Sequence, residues 1–211
     1  MAEKNSARLS AALLALTLSL GPLAQFAFAG PQTTAVAAPS IHIDNFGRID
    51  ANYYRGAQPQ GRDYADLAAL GVKTVINLTS DDALADEKGM VEHAGMTYLQ
   101  IPMTTHVVPT VAQLSEFLKV VNDPASQPVY VHCVGGKHRT GVMTAAYRIN
   151  HYGWTSDQAF KEMKQFQFGA DFLHSEFKQF VYGYPAALRA AAAAVPAATE
   201  AVPLAKAGGQ Q

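Results

Sequence analysis

Between residues 41 and 184 the hydrophobic positions change period repeatedly, from strand-like to helix-like and back. Ile41-His42-Ile43 and Asn52-Tyr53-Tyr54-Arg55 are short extended pieces. Gly56 to Gly61, with Gln58-Pro59-Gln60 inside it, reads as a turn. Residues 63–70 predict a helix ended by Gly71. Residues 72–78 (Val-Lys-Thr-Val-Ile-Asn-Leu) are β-branched and predict a buried strand. A helix over residues 86–94, closed by Gly95, and a strand over residues 97–101, ended by Pro102, follow. Thr110 and Gln113 have capping-box spacing. After them Val111, Leu114, Phe117, Leu118 and Val121 recur at helical period. Residues 128–132 (Pro-Val-Tyr-Val-His) predict a strand and residues 140–151 a helix. Thr155 and Gln158 repeat the capping-box spacing before a helix reaching about Phe166, and residues 172–182 predict a last helix. Strands separated by helical crossovers mean an α/β domain with a mainly parallel central sheet flanked by helices.

The ends of the 211-residue chain break this pattern. Lys4 and Arg8 precede an apolar run from Leu9 to Leu20; Gly21-Pro22 breaks it, and Ala27-Phe28-Ala29 is a small-x-small cleavage site. The run is short of the roughly 20 residues that span a bilayer. Residues 1–29 are therefore expected to be a cleaved secretory signal rather than an anchor, giving a periplasmic or secreted protein with no stable membrane association afterwards. Residues 30–40 read as a linker. Residues 185–211 are alanine-rich, broken by Pro185, Pro196 and Pro203, and show no apolar stripe. They are expected to be a frayed helix and a disordered tail outside a domain ending at residue 184. The charge balance is 16 basic to 17 acidic residues, and loss of Lys4, Arg8 and Glu3 leaves 14 to 16. Neither balance argues for nucleic acid as a partner. A single cysteine rules out an intramolecular disulfide, and a free thiol in an oxidising compartment points to reactivity.

That cysteine stands in His132-Cys133-Val134-Gly135-Gly136-Lys137-His138-Arg139-Thr140-Gly141. A strand runs in and a helix runs out, so successive backbone N–H groups and the positive helix end converge on one spot, a nest for a tetrahedral oxyanion. Gly135 and Gly136 permit the tight backbone. A cysteine at the floor of the nest is favoured as the thiolate, the form that attacks phosphorus. Arg139 offers a planar two-pronged donor for two phosphoryl oxygens. Val134 to Arg139 are the expected phosphate-binding residues.

The segment resembles the C-x5-R signature of the cysteine-dependent protein tyrosine and dual-specificity phosphatases. Tyr53-Tyr54-Arg55-Gly56-Ala57-Gln58-Pro59 and Gly71-Val72-Lys73-Thr74-Val75-Ile76-Asn77-Leu78 are similar to motifs of the plant-and-fungal atypical dual-specificity subgroup. Together these cover roughly residues 45–165. The resemblance implies a phosphocysteine intermediate on Cys133 and no metal or other cofactor. It also implies that His132 orients the loop and that the Thr140 hydroxyl helps the cysteine leave. Expected substrates are phosphotyrosine or dual-specificity protein substrates. Inositol polyphosphates, inositol pyrophosphates or phosphoinositides are the alternative, which Lys137 and His138 would suit by adding positive charge.

Other readings fit less well. A nucleotide P-loop needs Ser or Thr after the Lys, where His138 stands. His132, Cys133 and His138 match no common zinc spacing. A sulfurtransferase would share the anion-binding loop but not the Arg-Thr-Gly exit, and a non-catalytic phospho-ligand module would typically lack the nucleophile. The proton donor is open: the loop over residues 102–109, where the family usually carries an Asp, has His106 as its only titratable group. Asp81 and Asp82 are the other candidates, with turn or helix-capping roles competing. Mass spectrometry of the exported protein is expected to find a mature chain starting at Gly30; an intact N-terminus in a membrane fraction would make the segment an anchor.

Overall fold

The computed structural model describes residues 40–80 and 82–194. The expected signal, the linker up to residue 39, Asp81 and the tail beyond residue 194 lie outside the described residues. One sheet is built from β1 (Gly47–Arg48), β2 (Tyr53–Gly56), β3 (Thr74–Asn77), β4 (Thr97–Gln100) and β5 (Val129–His132), in the order β1-β2-β5-β3-β4. Only β1 is antiparallel to its neighbour. The helices are α1 (Asp63–Ala69), α2 (Glu87–His93), α3 (Val111–Val121), α4 (Arg139–Tyr152), α5 (Ser156–Gln165) and α6 (Ser175–Ala194). The mainly parallel α/β architecture expected from the sequence is the one observed.

Alternating side chains give the sheet two apolar faces. Tyr53, Ile76, Val129 and Val131 join the larger core, under α3 to α6. Tyr54, Val75 and Tyr130 join a smaller one, with Tyr64 and Leu67 of α1 and Val91 of α2. Both expected capping boxes form: the Thr110 and Thr155 hydroxyls accept from the Gln113 and Gln158 amides, and each Gln side chain reaches back. The central strand β5 pairs with β2 and β3 so that His132 lies level with Gly56 and Asn77. These three residues end parallel strands on one edge, where α/β sheets hold their ligands.

Two expectations differ from the structure. Residues 41–43 pair with no strand; Ile43 is simply buried against the smaller core. The last helix starts at Ser175, leaving Phe172 and Leu173 exposed, and continues through Pro185 to Ala194. The stripe of Phe177, Val181 and Tyr184 extends to Leu188, at spacings of four, three and four, and packs on the larger core; Leu188 is its one member beyond residue 184 among the described residues. The sequence boundary at residue 184 therefore falls inside α6. Pro185 removes the N–H that would bond the Val181 carbonyl. The Ser156 hydroxyl donates to that carbonyl instead, at 2.9 Å.

Candidate active site

The loop between β5 and α4 is held by its carbonyls. The Gln58 amide donates to the Val134 carbonyl at 3.0 Å. Asn45 Nδ2 lies 3.4 Å from the Gly135 carbonyl and 2.9 Å from that of Gly136. Arg55 Nη2 donates to the Gly136 carbonyl at 2.5 Å. With three carbonyls turned outward, the N–H groups face the other way. None of the amides of residues 134–138 donates to an acceptor among the described residues. They ring the start of a 14-residue helix, so helix dipole and free donors act on the same point. Gly136 has φ of 62° and lies against Gly56, whose carbonyl a Cβ would strike. Only glycine satisfies both constraints.

Cys133 is 3% exposed and Arg139 4%, at the floor of this nest. Arg139 Nη1 and Nη2 lie 2.8 and 2.6 Å from the two carboxylate oxygens of Asp82, and Nη1 also donates to the Met103 carbonyl at 3.1 Å. Burial opposes the charge on Arg139, but Asp82 and the neighbouring Cys133 outweigh it and lift its pKa. The Arg139 hydrogen bonds hold Asp82 below the usual carboxylate range. Asp82 is thus favoured as the anion that pairs with Arg139. It grips the guanidinium end-on and leaves the Nε edge for a phosphoryl group.

Behind the loop lies a polar layer. His132 is fully buried, with Nε2 2.9 Å from Glu87 Oε1, though off hydrogen-bond angle. Glu87 is also fully buried and accepts from Gln58 Nε2 at 2.6 Å and Asn77 Nδ2 at 2.5 Å. Arg55 is fully buried, its guanidinium 4.0 Å from the Phe166 ring centre, and burial lowers its pKa. The Thr140 hydroxyl is buried with no hydrogen-bond partner among the described residues, leaving it available to a thiolate. Asn45, Arg55 and Glu87 are the residues that the sequence reading left without a role. Arg55, Gln58 and Asn77 stand inside the quoted motifs, which was a usable signal. Nothing in the sequence marks Asn45, and Glu87 reads as an ordinary first-turn acid of a helix.

His138 donates from Nε2 to the Phe168 carbonyl at 3.0 Å, and its ring lies 3.7 Å from that of His174. Burial, and then His174, pull its pKa down to about 4. It is neutral at pH 7 and adds no charge to the loop, contrary to the expectation from sequence. The half-buried Lys137 folds its stem over Gly135. His106 is 71% exposed, 3.4 Å from Glu176 and stacked on His174 at 4.9 Å. Asp81 lies outside the described residues. Beside the loop opens a cleft of about 470 Å³ whose lining includes Val134, Gln58 and the carboxylates Asp44, Asp63 and Asp82.

Comparison with known proteins agrees with this geometry. The family described as DSP-PTPase phosphatase fused to NAD+ kinase matches residues 38–179. The chain belongs to the dual-specificity phosphatase family. The dual specificity protein phosphatase TpbA of Pseudomonas aeruginosa is 33% identical over 161 residues, 76% of this chain and 72% of TpbA. A TpbA crystal structure in complex with pTyr superposes with a TM-score of 0.60 at 29% identity, covering 76% of this chain and 99% of that one. The inositol diphosphatase SIW14 of Saccharomyces cerevisiae is 27% identical over 133 residues, 61% of this chain and 47% of SIW14. This phosphatase is thus of the cysteine-dependent, atypical dual-specificity type, as the motifs indicated. Replacing Asp82 by Asn is expected to loosen Arg139 and lower kcat/KM roughly 10- to 100-fold, the scale of a small misplacement at a reacting centre. An unchanged kcat/KM in steady-state assays would show that the pair does not position the guanidinium.

Proposed function

We propose that this phosphatase hydrolyses aryl phosphate monoesters, phosphotyrosyl protein above all, through a phosphocysteine enzyme. The observation that carries the reading is the ring of amides at residues 134–138, without acceptors among the described residues and closed by Arg139 around Cys133. The Cys133 thiolate attacks phosphorus in line with the leaving aryl oxygen. The S–P bond forms, the P–O bond breaks, and its electron pair leaves on oxygen. The amides and the free edge of Arg139 take the equatorial oxygens, where transition-state charge accumulates. Water then attacks the phosphocysteine, inorganic phosphate departs, and the pair returns to sulfur, which the Thr140 hydroxyl stabilises. His132 holds the loop from behind. The signal-like residues 1–29 support an exported enzyme.

We assign proton donation to His106, the only titratable side chain of the loop over residues 102–109. That loop reaches the site through the Met103 carbonyl on Arg139. An imidazole in the acid's place favours leaving groups that are stable as anions, so phenolates suit the site better than alkoxides. The cleft supports the same choice. Asp44 and Asp63, its carboxylates not paired with Arg139, repel a polyanion and attract a basic peptide flanking the phosphotyrosine. A second reading, hydrolysis of inositol pyrophosphates, is favoured by Lys137 beside the loop and by the similarity to SIW14. Phosphotyrosine peptides with basic flanks are expected to exceed inositol pyrophosphates in kcat/KM; the reverse order would favour the second reading.

Cys133→Ser is expected to reduce turnover to background while inorganic phosphate still binds within a few-fold, because the nest is intact and the nucleophile is not. Substantial residual turnover would exclude the covalent route. His106→Ala is expected to slow phenyl phosphate hydrolysis by roughly 10²–10⁴, as loss of a general acid does, and nitrophenyl phosphate far less. Equal losses on both substrates would mean that His106 only positions its loop.

A further inference from the structure

Beside the signature loop the fold assembles three side chains that are distant in sequence. His106 comes from the loop over residues 102–109, His174 from the approach to α6, and Glu176 from the first turn of α6. Nδ1 of His106 and Nδ1 of His174 each lie 3.4 Å from the same oxygen, Oε1 of Glu176. The three donor atoms all lie within 4.8 Å of one another. Neither of these two 3.4 Å contacts to Glu176 has hydrogen-bond geometry. The His174 side chain is only 9% exposed, yet Nδ1 has no hydrogen-bond partner among the described residues, and Glu176 Oε1 is likewise buried and unpartnered.

Buried polar atoms left like this are uncommon, and a missing ion is one of the ordinary reasons. The spacing is informative. Two ligands bound tetrahedrally at about 2.0–2.1 Å sit about 3.4 Å apart, the edge of the tetrahedron. A hydrogen-bonded ion pair would instead close to about 2.7–2.9 Å. Two imidazoles and one carboxylate form a donor set that suits zinc and leaves a fourth position for water or an anion. His106 is 71% exposed, so an ion can reach the site from solvent. His138 packs behind His174 but commits Nε2 to the Phe168 carbonyl and does not join the set.

We infer that His106, His174 and Glu176 bind a divalent metal ion of the zinc class, at a site separate from Cys133. The filled site clamps the loop over residues 102–109 to the start of α6. It also occupies the imidazole to which proton donation is assigned, so on that reading of the enzyme the metal inhibits.

The test is a Co²⁺ titration of the Cys133→Ser protein, in which the thiolate cannot compete. Visible absorption bands are expected to saturate near one equivalent, without the near-ultraviolet charge-transfer band of a thiolate ligand, and to vanish when Zn²⁺ is added. His174→Ala risks the fold because His174 is buried, so the decisive variants are His106→Ala and Glu176→Gln, checked by circular dichroism. Each is expected to weaken Co²⁺ at least tenfold. No saturable band, or the same affinity in both variants, overturns the site. In the protein with Cys133 intact, Zn²⁺ is expected to slow phenyl phosphate hydrolysis, with at least tenfold more Zn²⁺ needed in Glu176→Gln. Equal inhibition in both would place the inhibitory metal on Cys133 and overturn the link to catalysis. A protein that binds Co²⁺ as expected but turns over no phosphate ester would sink the phosphatase reading and leave the metal site standing.

Discussion

The active site depends on which way three peptide groups face. A strand-to-helix connection of six residues has both donors and acceptors, and an anion is attracted only if the acceptors point elsewhere. Here the carbonyls of Val134, Gly135 and Gly136 are bound from outside by the Gln58 amide, Asn45 and Arg55. The donors come from the turn before β1, from β2 and from the turn after it, segments that precede the loop by about eighty to ninety residues. This explains a motif so far upstream of the nucleophile: Tyr53 to Pro59 aims the backbone of the loop.

Behind this, charge is buried at a cost in solvation. Arg55 loses all contact with water and leaves Nε and Nη1 without hydrogen-bond partners among the described residues. Glu87 is equally buried but collects donors from Gln58, Asn77 and Tyr64. Such groups rarely add net stability over apolar replacements. In this phosphatase they fix a loop geometry that apolar side chains could not specify, because carbonyls need donors. The polar layer under His132 and the left-handed Gly136 belong to the same arrangement: Gln58, Asn45 and Arg55 hold the loop carbonyls, and Gly136 lets the backbone approach Gly56.

The sheet, its parallel sense and the signature loop were legible because each rests on short-range rules: β-branched runs, glycine stops, capping-box spacing and a cysteine six residues before an arginine. Less was legible where distant segments decide. The pairing of Asp82 with Arg139 needs the turn after β3 to lie across the mouth of the loop, and sequence spacing cannot show that. The neutrality of His138 follows from burial against Phe168 and His174, so counting it as a cation by residue type failed. The continuation of α6 past residue 184 was harder to read, because alanine-rich composition hid that Leu188 extends the return of Phe177, Val181 and Tyr184. The role of Asn45 had no sequence signal, since its three acceptors belong to residues 135, 136 and 166.

The proline at the middle of α6 makes two remote positions interdependent. The Val181 carbonyl accepts from the Ser156 hydroxyl, where Pro185 cannot supply the usual amide. Losing the hydroxyl while proline is present strands an acceptor inside a packed helix pair. Losing it after proline has become alanine strands nothing, since the helix then bonds itself. The effects of the two changes therefore cannot add. The same serine-to-alanine replacement would be damaging in one sequence background and nearly silent in another, and the α5–α6 contact admits change at these positions only in a particular order.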